Sequence, residues 1–171
     1  MPDATDATTP LNALFLCTGN SARSVMAEAL LNVLGHGRFQ AYSAGSHPSG
    51  QVQPMAVELA AKLGYDTTRL RSKNWDEFAA PGAPVMDMVI TVCDNAAGEA
   101  CPAWLGGPTT AHWGVEDPVG VEGDEDARRR AFMKAFSILR KRVELLLALP
   151  FDKLDRLAAQ QQIRDIGHVG Q

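Results

Sequence analysis

The sequence predicts a single α/β domain, a doubly wound four-stranded parallel sheet with helices on both faces. Two observations carry this. Short apolar runs alternate with stretches of helical period, joined by short Gly- or Pro-marked loops. The chain has 171 residues, enough to bury one core and too few for two ordinary domains. The predicted organisation is a disordered polar tail over residues 1–11, a domain over 12–149 and a C-terminal extension over 150–171.

Each element has a local reason. Ala13–Leu16 is a short apolar run cut off at Cys17-Thr18-Gly19-Asn20, as expected of a buried parallel strand entering a tight loop. Ser24–Leu34 places Val25, Met26, Ala29, Leu30 and Val33 on one helical face and stops at Gly35. Phe39–Ser43 reads as a second strand closed by Gly45. Pro54–Leu63 repeats the helical pattern and ends at Gly64. Trp75–Phe78 reads as a short helix before the turn Pro81-Gly82-Ala83-Pro84. Met86–Val92, rich in Val and Ile, is the strongest strand signal, and Thr109–Trp113 a weaker fourth. The last strong helix runs from about Asp124 to Leu149, opened by Asp124, Glu125 and Asp126 at its positive end. The polar segment after Pro150 is expected to dock only loosely.

Composition narrows the function. A net charge of -4 argues against a general binder of nucleic acid or acidic membranes. The apolar runs Ala13–Leu16 and Leu145–Leu149 fall far short of the ~20 residues of a membrane span. Residues 1–10 lack the basic and apolar regions of a signal peptide, so a cytoplasmic protein is expected. Three cysteines cannot build a disulfide scaffold, and each needs its own account.

In such sheets ligands sit beyond the carboxyl ends of the strands, where Cys17, Cys93 and the loop after Trp113 all fall. Cys17-Thr18-Gly19-Asn20-Ser21-Ala22-Arg23 is a Cys, five residues, then an Arg, set between strand and helix. A loop this tight can turn consecutive amides inward as an anion nest, aided by the positive end of the next helix. Gly19 and Asn20 tolerate the left-handed backbone it requires. Arg23 can close over a tetrahedral oxyanion with paired hydrogen bonds. The same field favours a negatively charged sulfur at Cys17, and Ser24 could donate to it. A nucleotide-binding loop is excluded, because no P-loop Lys or Gly-x-Gly-x-x-Gly pattern is present. Cys93, Cys101 and His112 match no familiar zinc spacing.

Cys17–Glu28, CTGNSARSVMAE, resembles the active-site loop of the low-molecular-weight tyrosine phosphatase superfamily, closest to its arsenate reductase branch. The likeness continues through Ser43-Ala44-Gly45, Val92–Ala97, His112-Trp113-Gly114 and Asp117-Pro118, and covers roughly Leu11 to Leu149. It implies that Thr18, Gly19, Asn20, Ser21, Ala22, Arg23 and Ser24 bind the oxyanion, and that Cys17 is the nucleophile. It also implies Asp117 as the general acid, with Glu116 a poorer substitute.

Phosphate and arsenate are near-isosteric, so the loop cannot tell a phosphatase from a reductase. The other thiols can. A phosphatase has no use for them, whereas a reductase must supply two electrons. The resemblance implies that Cys93 attacks Cys17 and that Cys101 then attacks Cys93. The external reductant would be thioredoxin or glutathione with glutaredoxin, with no tightly bound cofactor or metal. Eight residues of straight helix would hold Cys93 and Cys101 about 12 Å apart, beyond the ~7 Å limit of a disulfide. Their pairing therefore requires the segment to bend, and Ala96-Ala97-Gly98 offers a place.

The substrate side also favours a reductase. Val119 follows Asp117-Pro118, and Ser46-His47-Pro48-Ser49-Gly50 has no ring to stack on a phosphotyrosine; Trp104 and Trp113 read as packing residues. Some reductases of this family hold potassium beneath the loop with residues matching Asn20, Glu28 and Ser43, plus a carboxylate. At the matching place this chain has Lys73, whose ammonium could take the cation's role. The expectation is a monomeric arsenate reductase serving arsenic detoxification. A phosphotyrosine or phosphate-ester phosphatase is the alternative, and a non-catalytic oxyanion sensor a distant third.

Overall fold

A computed structural model describes residues 9–93, 104 and 106–170. Four strands, β1 (Leu11–Cys17), β2 (Phe39–Gly45), β3 (Met88–Thr91) and β4 (Thr109–His112), form one sheet in the order β2-β1-β3-β4. All three pairings are parallel, with Cys17 opposite Gly45 and Leu16 opposite Thr91. Among the described residues the α-helices are α1 (Arg23–Leu34), α2 (Pro54–Leu63), α3 (Glu125–Leu147) and α4 (Arg156–Ile166).

The pleat divides β1 between two cores. Ala13, Phe15 and Cys17 pack with Met26, Leu30, Leu139, Val143 and Ile163, so α1, α3 and α4 cover one face. Leu14 and Leu16 point the other way, onto Trp75 and Met86, with Phe78 and Trp104 beside them. That face is covered by the short 3-10 helix Trp75–Phe78. β1 is thus wrapped on both faces, which is why Leu14, Phe15 and Leu16 are all fully buried and why the strand reads as a continuous apolar run.

Caps fix the helix ends. Asp124 accepts from Ala127 N at 2.8 Å and starts α3, while Gly64, at φ 92°, ends α2 in the left-handed conformation. The strands β3 and β4 are shorter than the apolar runs that announced them. The apolar run at β1 was too short: the strand takes in Leu11, expected in the tail, and continues to Cys17.

The C-terminal segment departs from expectation. It is not loosely docked: α4 buries Ile163 and Ile166, and the Trp113 indole N–H donates to Ile163 O at 2.9 Å. An ideal Cβ on Gly167 would lie 2.2 Å from His112 O, so the end of α4 rests directly on the end of β4. Its low apolar content hid this, because two isoleucines at helical spacing suffice to cover one tryptophan.

Candidate active site

The segment from Thr18 to Ala22 leaves the carboxyl end of β1 and enters α1 at Arg23. Its carbonyls are tied outward. Thr18 O accepts from His47 N at 2.9 Å, Gly19 O from Ser49 N at 3.0 Å, and Ser21 O from Gln53 N at 2.9 Å. The Ser72 hydroxyl also donates to Gly19 O, at 3.0 Å. In a trans peptide the carbonyl and the following N–H point in opposite directions. Anchoring those three carbonyls therefore turns the amides of Gly19, Asn20 and Ala22 to the inside of the loop. The Asn20 amide shows the result, donating to Cys17 Sγ at 3.2 Å.

Asn20 locks the turn. It stands at φ 47°, the left-handed region that Asn tolerates better than most residues. Its side chain is fully buried; Oδ1 accepts from Lys73 N at 2.9 Å and Nδ2 donates to Ser24 Oγ at 2.8 Å. With that lone pair engaged, the Ser24 hydroxyl has its proton to offer Cys17 Sγ, 2.9 Å away. Cys17 is a buried free thiol. A sulfur receiving both an amide and a hydroxyl proton is set up to carry negative charge.

The loop also leans on β2. An ideal Cβ on Gly45 would stand 2.4 Å from Thr18 O and 3.0 Å from both Asn20 N and Cys17 O. Only a glycine fits between the end of β2 and this turn.

Arg23 opens α1 and reaches back across the carboxyl edge. Its Nη1 donates to Val115 O at 2.9 Å, and its Nη2 lies 3.5 Å from Asp117 Oδ2. The other oxygen of Asp117 accepts from Val119 N at 2.9 Å. Asp117 is about half exposed (49%), so solvent screens the pair to about 1 kcal/mol or less. An arriving dianion can take Arg23 from so weak a partner. Glu116 is exposed.

Cys93 follows β3 at the same edge and is 2% exposed. The Thr18 amide donates to its sulfur at 3.3 Å, and Thr18 Oγ1 lies 3.6 Å from it. The first peptide after Cys17 thus carries the second thiol against the loop. Cys101 and the proposed bend at Ala96-Ala97-Gly98 lie outside the described residues.

Beneath the loop is a buried polar cluster. Glu28 accepts from Ser43 Oγ at 2.6 Å and from Tyr65 OH at 2.7 Å. Lys73 is 7% exposed, and its Nζ stands 4.0 Å from Glu28 Oε1 while donating to Arg71 O at 3.0 Å. Burial pushes the Lys73 ammonium below the ordinary lysine value, with the Glu28 charge pulling the other way. Burial also raises the Tyr65 hydroxyl well above its usual range, assisted by Glu28. Lys73 is therefore no surface lysine; one backbone amide and one ammonium link it to both Asn20 and Glu28.

The structure brings together Cys17, Thr18, Asn20, Arg23, Ser24, Cys93 and Asp117 at the edge, with Glu28, Ser43 and Lys73 below. Sequence reasoning missed Tyr65, Ser72, Val115 and the backbone of residues 47–53. Tyr65 had a possible signal in its place just after the α2 stop, but the others act through peptide groups or a single hydroxyl.

Comparison with known proteins agrees with this geometry. The family model for low molecular weight phosphotyrosine protein phosphatases matches residues 12–162. An arsenate reductase of Halalkalibacterium halodurans is 35% identical over 130 residues, 76% of this chain and 90% of that protein. One from Bacillus subtilis is 34% identical over 120 residues, 70% and 83% of the two chains. Among solved structures, the arsenate reductase from Archaeoglobus fulgidus superposes with a TM-score of 0.56 at 30% identity, covering 77% of this chain and 98% of that one. The chain belongs to the low-molecular-weight phosphotyrosine protein phosphatase family, and its likeness there is to the arsenate reductases.

Proposed function

We propose that this protein reduces arsenate to arsenite, in the service of arsenic detoxification. The observation that carries the reading is the position of Cys93, its sulfur hydrogen-bonded to the first amide of a loop built for a tetrahedral anion. Hydrolysis of a phosphate ester needs no thiol there.

In the proposed sequence the amides of Thr18–Arg23 and the Arg23 guanidinium hold arsenate. Cys17 thiolate attacks arsenic, and Asp117 gives its proton to the departing oxygen, which leaves as water. Cys93 thiolate then attacks Cys17 Sγ. A sulfur–sulfur bond forms, the sulfur–arsenic bond breaks, and its electron pair stays on arsenic, which falls from the +5 to the +3 state. Cys101 attacks Cys93, freeing Cys17 as a thiolate and leaving a Cys93–Cys101 disulfide. An external dithiol such as thioredoxin returns both to thiols. In the other coupling, glutathione attacks Cys17 Sγ of the adduct, the sulfur–arsenic bond breaks to release arsenite, and glutaredoxin reduces the Cys17–glutathione disulfide that remains. Lys73 would hold a positive charge under the loop, the role that the resemblance gives to potassium in some reductases of this family.

Arsenite release is measured with thioredoxin and its reductase, with glutathione and glutaredoxin, and with neither. Cys93→Ser is expected to abolish turnover in the thioredoxin arm while Cys17 still reacts with iodoacetamide. Wild-type turnover by Cys93→Ser in that arm refutes the cascade. The phosphatase reading draws on the family model and on the anion loop, which serves either oxyanion. It predicts hydrolysis of p-nitrophenyl phosphate unchanged by Cys93→Ser, with no arsenite formed in any arm.

A further inference from the structure

Three consecutive residues seat the segment that leads to Asp117 on the C-terminal end of the chain. The end of α4 touches the last residue of β4, since an ideal Cβ on Gly167 would lie 2.2 Å from His112 O. Trp113 gives its indole N–H to Ile163 O at 2.9 Å. Gly114 O accepts from Arg142 Nη1 at 3.1 Å, and Arg142 Nε donates to Val169 O at 3.0 Å. One planar guanidinium on α3 thus grips two carbonyls, one three residues before Asp117 and one just past α4.

The other side of the same segment is tied to the end of β3. Trp113 N donates to Thr91 O at 2.7 Å, and Val115 N to Val92 O at 3.0 Å. In a trans peptide the Gly114 carbonyl and the Val115 amide point in opposite directions, so Arg142 and Val92 hold that peptide plane from both sides. The next carbonyl, Val115 O, receives Arg23 Nη1 at 2.9 Å. Asp117 stands two residues further on, its backbone confined towards extended conformations by Pro118 and its Oδ1 accepting from Val119 N at 2.9 Å.

Packing does not call for a guanidinium at this place. Arg142 is fully buried, its Nη2 has no hydrogen-bond partner, and among the described residues no carboxylate pairs with it. Burial works against its charge and draws it below the ordinary arginine value. An apolar side chain of similar volume would fill the space without that cost. It could not hold Gly114 O.

We propose that Arg142 is a positioning residue for proton transfer from Asp117, fixing the Gly114–Val115 peptide and so the reach of the carboxyl beside Arg23. The same grip makes the C-terminal segment a support of the active site. This role rests on the reading of Asp117 as the general acid.

The test is a double-variant cycle on the full chain, fully reduced and freed of external thiol, with arsenite release followed in a single turnover. Arg142→Met is expected to slow release about tenfold or more, the scale of a misplaced acid. Iodoacetamide should still alkylate Cys17 at close to the wild-type rate, because Arg142 does not touch the loop. Asp117→Asn sets the cost of losing the acid outright. On that background Arg142→Met is expected to add less than about twofold, since the group it positions is gone; a general structural role would add its full loss again. Arg142→Met leaves two buried carbonyls bare and can fail to fold, so Gly167→Ala stands beside it and lifts the end of α4 from His112 O. It is expected to slow release about threefold or more, and again to add little to Asp117→Asn. Wild-type rates in both variants overturn the proposal, as do additive losses in the double variants or a wild-type rate in Asp117→Asn. If the wild type releases no arsenite, the arsenate reading alone has failed. The same cycle is then read on phenyl phosphate, whose leaving oxygen needs the same proton.

Discussion

Ser24→Ala tests whether the proton arrangement around Cys17 supports the chemistry. Ser24 Oγ lies 2.9 Å from Cys17 Sγ and accepts from Asn20 Nδ2 at 2.8 Å, so its own proton is directed at the sulfur. A hydrogen bond to a charged group contributes roughly 1.5–3 kcal/mol. At 1.4 kcal/mol per decade, its loss disfavours the charged sulfur roughly ten- to hundredfold, and about half of that on a logarithmic scale is returned because a less stabilised thiolate is the stronger nucleophile. The fold should suffer less. Asn20 keeps its bonds to Lys73 N and Cys17 Sγ but its buried Nδ2 loses its acceptor, so the unfolding free energy is expected to fall by about 1–2 kcal/mol. Two assays separate these effects. Alkylation of Cys17 by iodoacetamide at neutral pH, followed on its peptide by mass spectrometry, should slow about three- to tenfold, and arsenite release should fall with it. Urea unfolding should shift by no more than about 2 kcal/mol, with the transition still cooperative. If Ser24→Ala alkylates Cys17 at the wild-type rate, the hydroxyl is not supporting the thiolate and the reasoning fails.

Lys73→Met leaves Glu28 buried with no ammonium beside it. It is expected to cost about 3 kcal/mol by urea unfolding, the weight of breaking a buried pair, and a change under 1 kcal/mol would argue against the pairing. Wild-type turnover should be the same in potassium and sodium chloride at equal ionic strength, because Lys73 already supplies the charge; clear activation by potassium would contradict this. Tyr65 gives a pH signature. Its folded hydroxyl holds a proton more tightly than an ordinary tyrosine, which titrates at about 10, so its stabilisation is complete below about pH 10 and is lost as pH rises beyond it. The wild type should therefore lose stability between pH 9 and 11 more steeply than Tyr65→Phe, as read from urea midpoints; parallel curves would refute the assignment. Gly45→Ala pushes a methyl against Thr18 O and should cost about 2 kcal/mol of stability. Turnover should drop more than about tenfold, since a loop displaced by a fraction of an ångström misplaces every donor; a wild-type rate would show the loop free to yield.

The central strand, the three helices up to Leu147 and the Cys17–Arg23 loop were legible because each has a strong local signature. An apolar run meets Gly and Asn, or a helical period ends at Gly64. Lys73 was harder. Its position by likeness suggested a cation, but a lysine's usual place is the surface, and only its 7% exposure and the Glu28 contact reverse that presumption. The docking of α4 was illegible because its evidence lies in the partner: the Trp113 indole N–H needs an acceptor, and nothing in residues 150–171 announces that Ile163 O provides it. Arg142 was missed for a related reason. On a helix rich in Arg and Lys, nothing distinguishes the one guanidinium that faces inward.

The three outward anchors of the loop, at residues 47, 49 and 53, have a consequence for how this fold can vary. Each is a main-chain N–H, and nineteen of the twenty amino acids supply the same one. The anchor itself does not read the side chain at these positions, while the peptide N–H is indispensable. Proline alone would be purged there, even though Pro48 and Pro54 sit one residue away and are tolerated. A chain of this fold can therefore change the side chains at 47, 49 and 53, proline excepted, and keep the three anchors that cradle the anion.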